Sequence, residues 1–338
     1  MKKILITGGA GYIGSHTVVE LLNEGREVVI LDNFSNSSPE ILDKIKLITS
    51  KEFVFYQGDM NDEIILDKIF TENEIDSVID FAAYKAVGES CSKPIEYYIN
   101  NVSSVLTLVK VMNKYNCKKL VFSSSATVYG DPKVLPITEK SEIGGTTNPY
   151  GTSKYMVEQI LKDLYKSDNS YDICILRYFN PIGAHKSGLI GELPNGVPAN
   201  LLPYVCQVAS GKREYLSVYG NDYNTKDGTG VRDYIHVVDL AIGHVKAIDK
   251  LDKEGSGLYI YNLGTGNGNS VLEIIDTFEK VNNVKVNYKI VERREGDIAT
   301  CYASPDLAMK ELGFTTTMTL EDMCRDMWNF EKNISFKK

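Results

Sequence analysis

The sequence has little of what nucleic-acid-binding, membrane-spanning or disulfide-stapled proteins require. It carries 37 Lys and Arg against 45 Asp and Glu, a formal net charge of −8 at pH 7, whereas a protein that covers an extended polyanion needs a basic surface. No uncharged apolar run approaches the about twenty residues of a membrane span, and the apolar segment at residues 4–7 is too short for a secretory signal. We therefore predict no nucleic-acid partner and no membrane-spanning segment.

Metal-ligand patterns are also scarce. The six cysteines include no C-x-x-C pair and the four histidines are dispersed, so we predict no metal site. Scattered cysteines favour reduced thiols and a cytoplasmic location. What is present is an ordinary globular composition, since 43% of the 338 residues are hydrophobic and 24% are charged. A chain of this length buries a sizeable core, in one large domain or two smaller ones.

The first half of the chain alternates short apolar segments with longer amphipathic ones. The apolar segments predict strands at residues 3–7, 27–31, 53–57, 77–81, 119–123 and 172–176. The amphipathic segments predict helices at residues 14–23, 64–72, 94–115 and 150–166. This repetition predicts an α/β fold, a Rossmann-type doubly wound parallel sheet, over residues 1–180.

Beyond residue 180 the chain becomes rich in Gly, Pro and Asn. Helices are predicted at residues 201–209, 238–250, 270–281, 305–312 and 320–329, and a strand at residues 259–263. We expect residues 181–338 to form a smaller α/β domain, with a segment near 235–263 returning to the first sheet.

A glycine-rich turn lies where the first strand ends and the first helix begins. Gly8, Gly11 and Gly14 let the backbone approach a pyrophosphate, whose charge faces the N–H groups of the helix N-terminus. Asp32 lies eighteen residues beyond Gly14 and is expected to accept hydrogen bonds from an adenosine ribose. Asn33 rather than an Arg follows it, which favours NAD over NADP. The alternative is a tight turn that binds nothing.

Two shorter motifs fit the same crevice. Asp59, after the third strand, is a candidate neighbour of adenine. Phe81, Ala82 and Ala83 follow the fourth strand and would let a cofactor pass close to the backbone. Taken alone, each motif is typical of ordinary turns.

Tyr150 and Lys154 are four residues apart, hence on one face of a helix. A phenol with a pKa of about 10 needs about 4 kcal/mol of relative stabilisation to act as a base at pH 7. A nearby ammonium supplies about that much before desolvation subtracts from it, and an oxidised nicotinamide would add to it. Ser125, after the fifth strand, is a candidate to relay the proton. A solvated helix face is the alternative for the Tyr–Lys pair.

Six blocks carry a resemblance to a known family. They are TGGAGYIGSH (7–16), KAVGES (85–90), SSSATVYG (123–130), LRYFNP (176–181), GTGVRDYIH (228–236) and RREGD (293–297). In this order, over nearly the whole chain, they resemble the UDP-glucose 4-epimerase family of extended short-chain dehydrogenases/reductases. The resemblance implies tightly bound NAD in the larger domain and a UDP-hexose between the domains. It also implies a homodimer that packs through helices at residues 100–114 and 150–166.

The resemblance implies a reaction and a role for each matching position. Tyr150 takes the proton of the sugar's 4-hydroxyl, a transient 4-keto sugar forms and rotates, and carbon 4 is epimerised reversibly. Lys154 binds the nicotinamide ribose and lowers the pKa of Tyr150, and Ser125 assists. The NAD-binding set is Gly8, Gly11, Tyr12, Ile13, Gly14, Asp32, Asn33, Asp59, Met60, Phe81, Ala82, Ala83, Lys85, Asn100, Ser125, Tyr150, Lys154 and Phe179. The substrate-binding set is Lys85, Ser125, Tyr150, Asn180, Asn200, Arg232, Arg294, Asp297 and Cys301.

Cys301 departs from the family pattern. Enzymes strict for UDP-glucose and UDP-galactose resemble one another in having Tyr at this position near the sugar's 2-substituent. A thiol leaves room for an acetamido group, so we predict turnover of UDP-N-acetylglucosamine and UDP-N-acetylgalactosamine as well. The alternative is a small buried Cys whose space is filled by neighbours such as Tyr302.

Two other functions compete with epimerisation. A nucleotide-sugar 4,6-dehydratase shares the fold, NAD, Tyr and Lys, but needs an acid after the fifth strand to expel the 6-hydroxyl. This chain has Ser125, Ala126 and Thr127 there, with no carboxylate. A non-catalytic NAD-sensing scaffold is the other alternative, and the presence of Ser125, Tyr150 and Lys154 weighs against it.

Overall fold

The computed structural model describes residues 2–194, 196–294 and 297–335. Its strands are β1 (Lys3–Thr7), β2 (Val28–Asp32), β3 (Val54–Gln57), β4 (Ile75–Asp80), β5 (Lys119–Ser125), β6 (Asp172–Tyr178), β7 (Asn180–Ile182), β8 (Leu216–Tyr219), β9 (Val231–His236), β10 (Gly257–Leu263), β11 (Gly268–Ser270), β12 (Tyr288–Val291) and β13 (Thr300–Cys301). Its α-helices are α1 (Tyr12–Asn23), α2 (Glu40–Thr49), α3 (Glu63–Glu72), α4 (Val87–Ser92), α5 (Pro94–Tyr98), α6 (Ser104–Lys114), α7 (Pro149–Ser167), α8 (Leu201–Ala209), α9 (Val237–Glu254), α10 (Val271–Asn282), α11 (Asp306–Leu312) and α12 (Leu320–Ser335).

Seven parallel strands form the main sheet, in the order β10-β6-β5-β4-β1-β2-β3. Successive residues of β1 face opposite apolar clusters, with Ile4 and Ile6 in one cluster and Leu5 in the other. Because both faces of the sheet are buried, its strands are apolar at consecutive positions. The predicted α/β Rossmann-type fold is confirmed.

The chain leaves β1 toward β2 and β3 and then returns to β4 on the other side of β1. Such a reversal of strand order opens a crevice at the carboxyl ends of the strands. The segments that follow β1, β4 and β5 all meet at this edge. They carry Gly8, Phe81 and the 3-10 turn Ala126–Tyr129, respectively.

The later part of the chain adds smaller sheets. Strand β9 pairs with β7, β11 and β13, and β8 pairs with β12. Strand β10 instead joins the main sheet beside β6, in register from Gly257 opposite Asp172 to Leu263 opposite Tyr178. A separate apolar cluster packs α8, α10 and α12 together.

The helix predicted over residues 94–115 is wrong as a single α-helix. The structure has α5, then a π-helical turn (Ile99–Ser103), then α6. The turn contains Asn100 and Asn101, whose short polar side chains favour local hydrogen bonds over a regular helix. Helix α2 was not predicted, because its only buried residues are Ile41 and Ile45. Among the described residues, no helix has the length and apolar character needed to cross a bilayer.

Candidate active site

The glycine turn is shaped by close backbone contacts. Gly8 has φ +68°, and a Cβ there would lie 3.0 Å from the backbone nitrogen of Ala82. A Cβ on Gly14 would lie 2.2 Å from the carbonyl oxygen of Gly8. Glycine at both positions therefore brings the start of α1 and the segment after β4 against the end of β1.

Helix α1 begins without any side-chain cap. Gly11 is its N-cap residue, and no acidic residue lies in its first turn, which contains Tyr12, Ile13 and Gly14. The first N–H groups of a helix have no acceptor within the helix, so this turn presents free donors and a positive dipole end. These groups fit the pyrophosphate of a dinucleotide.

Asp32 closes β2 and is held in one orientation. Its Oδ2 accepts from the backbone N–H of Ala10 at 2.9 Å, and its Oδ1 accepts from the N–H of Phe34 and the hydroxyl of Ser37. A carboxylate accepts about four hydrogen bonds, so capacity remains for a ribose hydroxyl. Thus Asp32 fits the predicted role.

Asn33 and Asp59 lie together beside Asp32. The amide of Asn33 donates to Asp59 Oδ2 at 2.9 Å, and Asn61 donates to Oδ1. Although burial raises the pKa of Asp59, these hydrogen bonds outweigh it and lower the pKa below its usual value. Met60, the next residue, is buried.

Ser125 is oriented by Thr127, which the sequence analysis did not single out. The backbone N–H of Thr127 donates to Ser125 Oγ at 3.2 Å, and its hydroxyl donates to the same atom at 3.0 Å. Because Ser125 Oγ accepts both bonds, its own proton is free to be donated. The hydroxyl of Tyr150 is its neighbour: burial raises the pKa of Tyr150, and the hydrogen bond with Ser125 opposes that rise.

Tyr150 and Lys154 both lie in α7, which begins at an Asn148 cap whose side chain accepts from Gly151. The ammonium of Lys154 donates to the carbonyl of Ser123 at 2.7 Å and lies 4.8 Å from the centroid of the Phe122 ring. Parallel pairing of β5 and the helical spacing of α7 therefore bring Ser125, Tyr150 and Lys154 to one place.

Burial dominates the electrostatics of this group. It lowers the pKa of Lys154 from 10.5 to about 8, although Asp80 opposes the shift. Burial also raises the pKa of Tyr150, and the Ser125 hydroxyl opposes that shift only in part. The lowering of the Tyr150 pKa by Lys154 stays a prediction.

A second cluster joins residues from three distant segments. Glu192 is buried, and its Oε1 accepts from Lys85 Nζ and from the amide of Asn200, each at 2.6 Å. Lys85 Nζ also lies 5.6 Å from the centroid of the Tyr12 ring, and the Tyr12 hydroxyl donates to the Gly183 carbonyl at 2.7 Å. Sequence reasoning found Lys85, Asn200 and Tyr12 but missed Glu192, which lies in a loop with no periodicity.

Asn101 was also missed. Its side-chain oxygen accepts from the N–H of Tyr84, and its amide donates to the carbonyl of Tyr84 and to the hydroxyl of Ser153. Asn100, a predicted NAD contact, donates to Asn101. The π-helical turn thereby ties the segment before Lys85 to the residue before Lys154. Its only sequence signal is Asn-Asn within an amphipathic helix.

The predicted substrate residues form a more open group. Arg232 in β9 is paired with Asp297, and Cys301 in β13 lies opposite Arg232 in the register of these strands. Burial raises the pKa of the Cys301 thiol to about 11. Arg294 is exposed, and its guanidinium lies 3.8 Å from the centroid of the Tyr219 ring. The backbone carbonyl of Arg294 accepts from the N–H of Asp297 at 3.2 Å, so Asp297 links the two arginines.

The remaining predicted positions lie around the crevice. Phe179 is buried beside the apolar cluster that Cys301 contacts, whereas Asn180, which opens β7, is exposed. Phe81, Ala82 and Ala83 are half-buried after β4. Glu295 and Gly296 of the RREGD block lie outside the described residues.

Comparisons with known proteins point to one group of enzymes. The family model described as GDP-mannose 4,6 dehydratase matches residues 5–327. The curated UDP-glucose 4-epimerase of Haemophilus influenzae is 64% identical over 330 residues, which are 98% of this chain and 97% of that protein.

Solved structures of 4-epimerases are also similar to this chain. The UDP-glucose 4-epimerase from Bifidobacterium longum, in complex with NAD+ and UDP, is 56% identical, with a TM-score of 0.95 and 98% of each chain covered. The UDP-Glc/GlcNAc 4-epimerase from Campylobacter jejuni is 34% identical, with a TM-score of 0.86 over 98% of this chain and 100% of that one.

Proposed function

This chain belongs to the UDP-glucose 4-epimerase family, and we propose from that membership how its own residues catalyse the reaction. It is an NAD-dependent epimerase of UDP-hexoses, which interconverts UDP-glucose and UDP-galactose at carbon 4. The observation that carries this conclusion is 64% identity over nearly the full length to a curated UDP-glucose 4-epimerase.

NAD fits the residues of the crevice. We propose that the uncapped start of α1 holds its pyrophosphate, that Asp32 holds the adenosine ribose, and that Lys154 holds the nicotinamide ribose. When bound, NAD would supply reversible hydride transfer at carbon 4 of the sugar and the positive charge of its oxidised nicotinamide. That charge supplies what Tyr150 lacks in the protein alone, where burial raises its pKa.

We propose Tyr150 as the base that takes the proton of the 4-hydroxyl. Thr127 donates to Ser125 Oγ, so the Ser125 proton is directed to Tyr150 or to the substrate oxygen. Since the pKa of Lys154 is about 8, roughly nine-tenths of this side chain is ammonium at pH 7, and its charge favours the phenolate. Returning the proton from Tyr150 to the opposite epimer completes a cycle without net oxidation.

We propose that Arg232 and Arg294 bind the UDP diphosphate. Planar guanidinium groups form two parallel hydrogen bonds with phosphate oxygens. Because Arg232 is paired with Asp297, the diphosphate would replace or share that partner. Asn180, Asn200 and Lys85 are proposed sugar contacts, and the last two donate to Glu192.

The family model that matches this chain is described as GDP-mannose 4,6 dehydratase. Dehydration is therefore the alternative to weigh against epimerisation. Expulsion of the 6-hydroxyl needs a pair of acidic side chains after the end of β5. The turn Ala126–Tyr129 that follows β5 contains no carboxylate, and Thr127 is committed to Ser125. These facts favour epimerisation over dehydration.

We propose that Cys301 widens the sugar site enough for a 2-acetamido group. Its strand position opposite Arg232 and its contact with the cluster around Phe179 support a place beside the sugar. Wild type should turn over UDP-N-acetylglucosamine, and Cys301→Tyr should lower that rate at least tenfold while changing the UDP-glucose rate less than threefold. Chromatographic assay of both sugar pairs measures this, and no wild-type turnover of the N-acetyl pair would refute it.

We propose that residues 1–180 bind NAD and residues 181–338 bind the UDP-sugar, with β10 returned to the main sheet. We also propose a homodimer, in a cytoplasmic location that suits six free cysteines. Four exposed apolar side chains support the dimer, on α5, the π-helical turn, α6 and α7: Ile95, Ile99, Leu106 and Met156. Light scattering should give twice the chain mass for wild type and the chain mass for Leu106→Glu. A monomeric wild type would refute the dimer.

The activity is tested with purified protein and no added NAD. Interconversion of UDP-glucose and UDP-galactose from either side is expected if the cofactor is retained, as proposed. Turnover only after NAD is added would refute tight retention but not epimerisation. No turnover with or without NAD would refute the function.

A further inference from the structure

We propose that Asp80 is a positioning residue that acts through Lys154: its carboxylate is the fixed negative charge that keeps the Lys154 ammonium protonated at neutral pH. This inference deepens the proposed function and rests on the role given there to Lys154. Asp80 belongs to none of the predicted site sets.

Asp80 is the last residue of β4, and it is only 2% exposed. Its Oδ1 accepts from the Thr7 hydroxyl at 2.6 Å and from the N–H of Ala82 at 3.2 Å. Within the described residues, no hydrogen bond reaches its other oxygen, Oδ2. A carboxylate buried in this way is costly unless a cation lies near it.

The sheet brings that cation to Asp80. In the pairing of β4 with β5, Asp80 lies opposite Phe122, and Lys154 Nζ lies over the Phe122 ring and donates to the next carbonyl, that of Ser123. The ammonium, which lies over the Phe122 ring, and the carboxylate of Asp80, the residue opposite Phe122, are thus brought to neighbouring places by the pairing of β4 with β5. Burial raises the pKa of the Asp80 carboxyl, and the Lys154 ammonium opposes that rise, while Asp80 opposes the lowering of the Lys154 pKa by burial.

The other titratable groups around the pair do not replace Asp80. Tyr150 on α7 and Tyr178 on β6 both have pKa values raised by burial, so they are neutral near pH 7. His244 on α9 contacts Phe81 and Tyr178, and burial lowers its pKa to about 4, so it is neutral too. Among these groups, Asp80 alone opposes the lowering of the Lys154 pKa by burial.

The consequence concerns the pH range of activity. Burial already lowers the pKa of Lys154 to about 8 against the pull of Asp80. Removal of the carboxylate removes that pull, so Lys154 loses its proton at a lower pH. An opposite charge at close range shifts a pKa by about 1 to 3 units, which sets the size of the expected change.

The test follows the side-chain carbon next to the Lys154 ammonium by NMR, in holoenzyme labelled with ¹³Cε-lysine. Loss of one resonance in Lys154→Met assigns the signal. In wild type it should titrate near pH 8, apart from exposed lysines near about pH 10. In Asp80→Asn the midpoint of the Lys154 titration should fall by about 1 pH unit or more. The pH above which kcat declines should fall by the same amount.

Asp76→Asn is the matched control, because Asp76 lies in the same strand but pairs with Lys2 and Lys119 at the opposite end. Its Lys154 midpoint should match wild type. If Asp80→Asn does not fold, Asp80→Ser takes its place. An unchanged Lys154 midpoint in the folded variant would overturn the proposal, because it would mean that Asp80 is neutral in wild type. The titration needs no substrate, so it stands apart from a failure of epimerisation.

Discussion

The two sides of the crevice are built differently. On the side of the main sheet, Ser125, Lys154 and Asp80 are each less than a tenth exposed and are held by hydrogen bonds from neighbouring strand ends. On the other side, Arg232 is paired with Asp297, and Arg294 is exposed over Tyr219. The first group is fixed before any ligand binds, whereas the second has protein partners that a diphosphate would displace.

This difference assigns different tasks to the two sides. Fixed, desolvated groups suit proton transfer, because they are already oriented when the reaction occurs. The half-buried Arg232 and the exposed Arg294 suit reversible capture of an anion, because their partners are exchangeable and solvent reaches them. Changes on the sheet side should therefore act on kcat, and changes on the open side should act on KM.

The largest effect is expected on the sheet side. Tyr150→Phe removes the proposed base, so kcat should fall about 10³-fold with the thermal unfolding temperature unchanged. Tyr155→Phe, on the same helix, is the matched control and should keep kcat within twofold. Steady-state assay of UDP-galactose turnover measures both. A Tyr150→Phe enzyme with more than a tenth of wild-type kcat would show that another group takes the proton.

A smaller effect is expected on the open side, and it should appear in KM rather than in kcat. Arg232→Lys keeps the charge but loses the planar pair of donors, so KM for UDP-galactose should rise about ten- to hundredfold while kcat changes less than threefold. Arg293→Lys is the control, because Arg293 pairs with Asp222. A fall in kcat without a rise in KM would remove the division between the two sides.

The smallest effect should come from the residue that orients Ser125. Thr127→Val removes the hydroxyl that donates to Ser125 Oγ but keeps the backbone donor, so kcat should fall about five- to tenfold. Thr152→Val in α7 is the control, and it should leave kcat unchanged. If both variants match wild type, the orientation of Ser125 does not depend on this hydroxyl.

The sheet side was largely predictable from the sequence, for physical reasons. The four-residue spacing of Tyr150 and Lys154 fixes one helix face, and an apolar strand before Ser125 puts that residue at the carboxyl edge of a parallel sheet. Strand β1 and helix α8 have the predicted bounds, residues 3–7 and 201–209.

The rest depends on contacts between distant segments. Asp80 lies near Lys154 only because of the register of β4 with β5. Glu192 accepts a hydrogen bond from Lys85 only because of the way an irregular loop folds. Strands β8 and β12 were missed because each has only four residues. The alternation of buried residues in β8 is therefore brief, and three of the four residues of β12 are exposed. The Tyr150 pKa depends on burial, which residue spacing does not reveal.

The most direct test of the account is to follow a deuterium label at carbon 4 of UDP-glucose through one turnover, with product positions read by NMR. If Tyr150 removes the 4-hydroxyl proton and the 4-keto sugar stays bound, the UDP-galactose formed should carry the label at carbon 4. Label found at carbon 6 or in solvent would contradict epimerisation through a retained keto sugar, and label at carbon 6 would favour the dehydratase alternative.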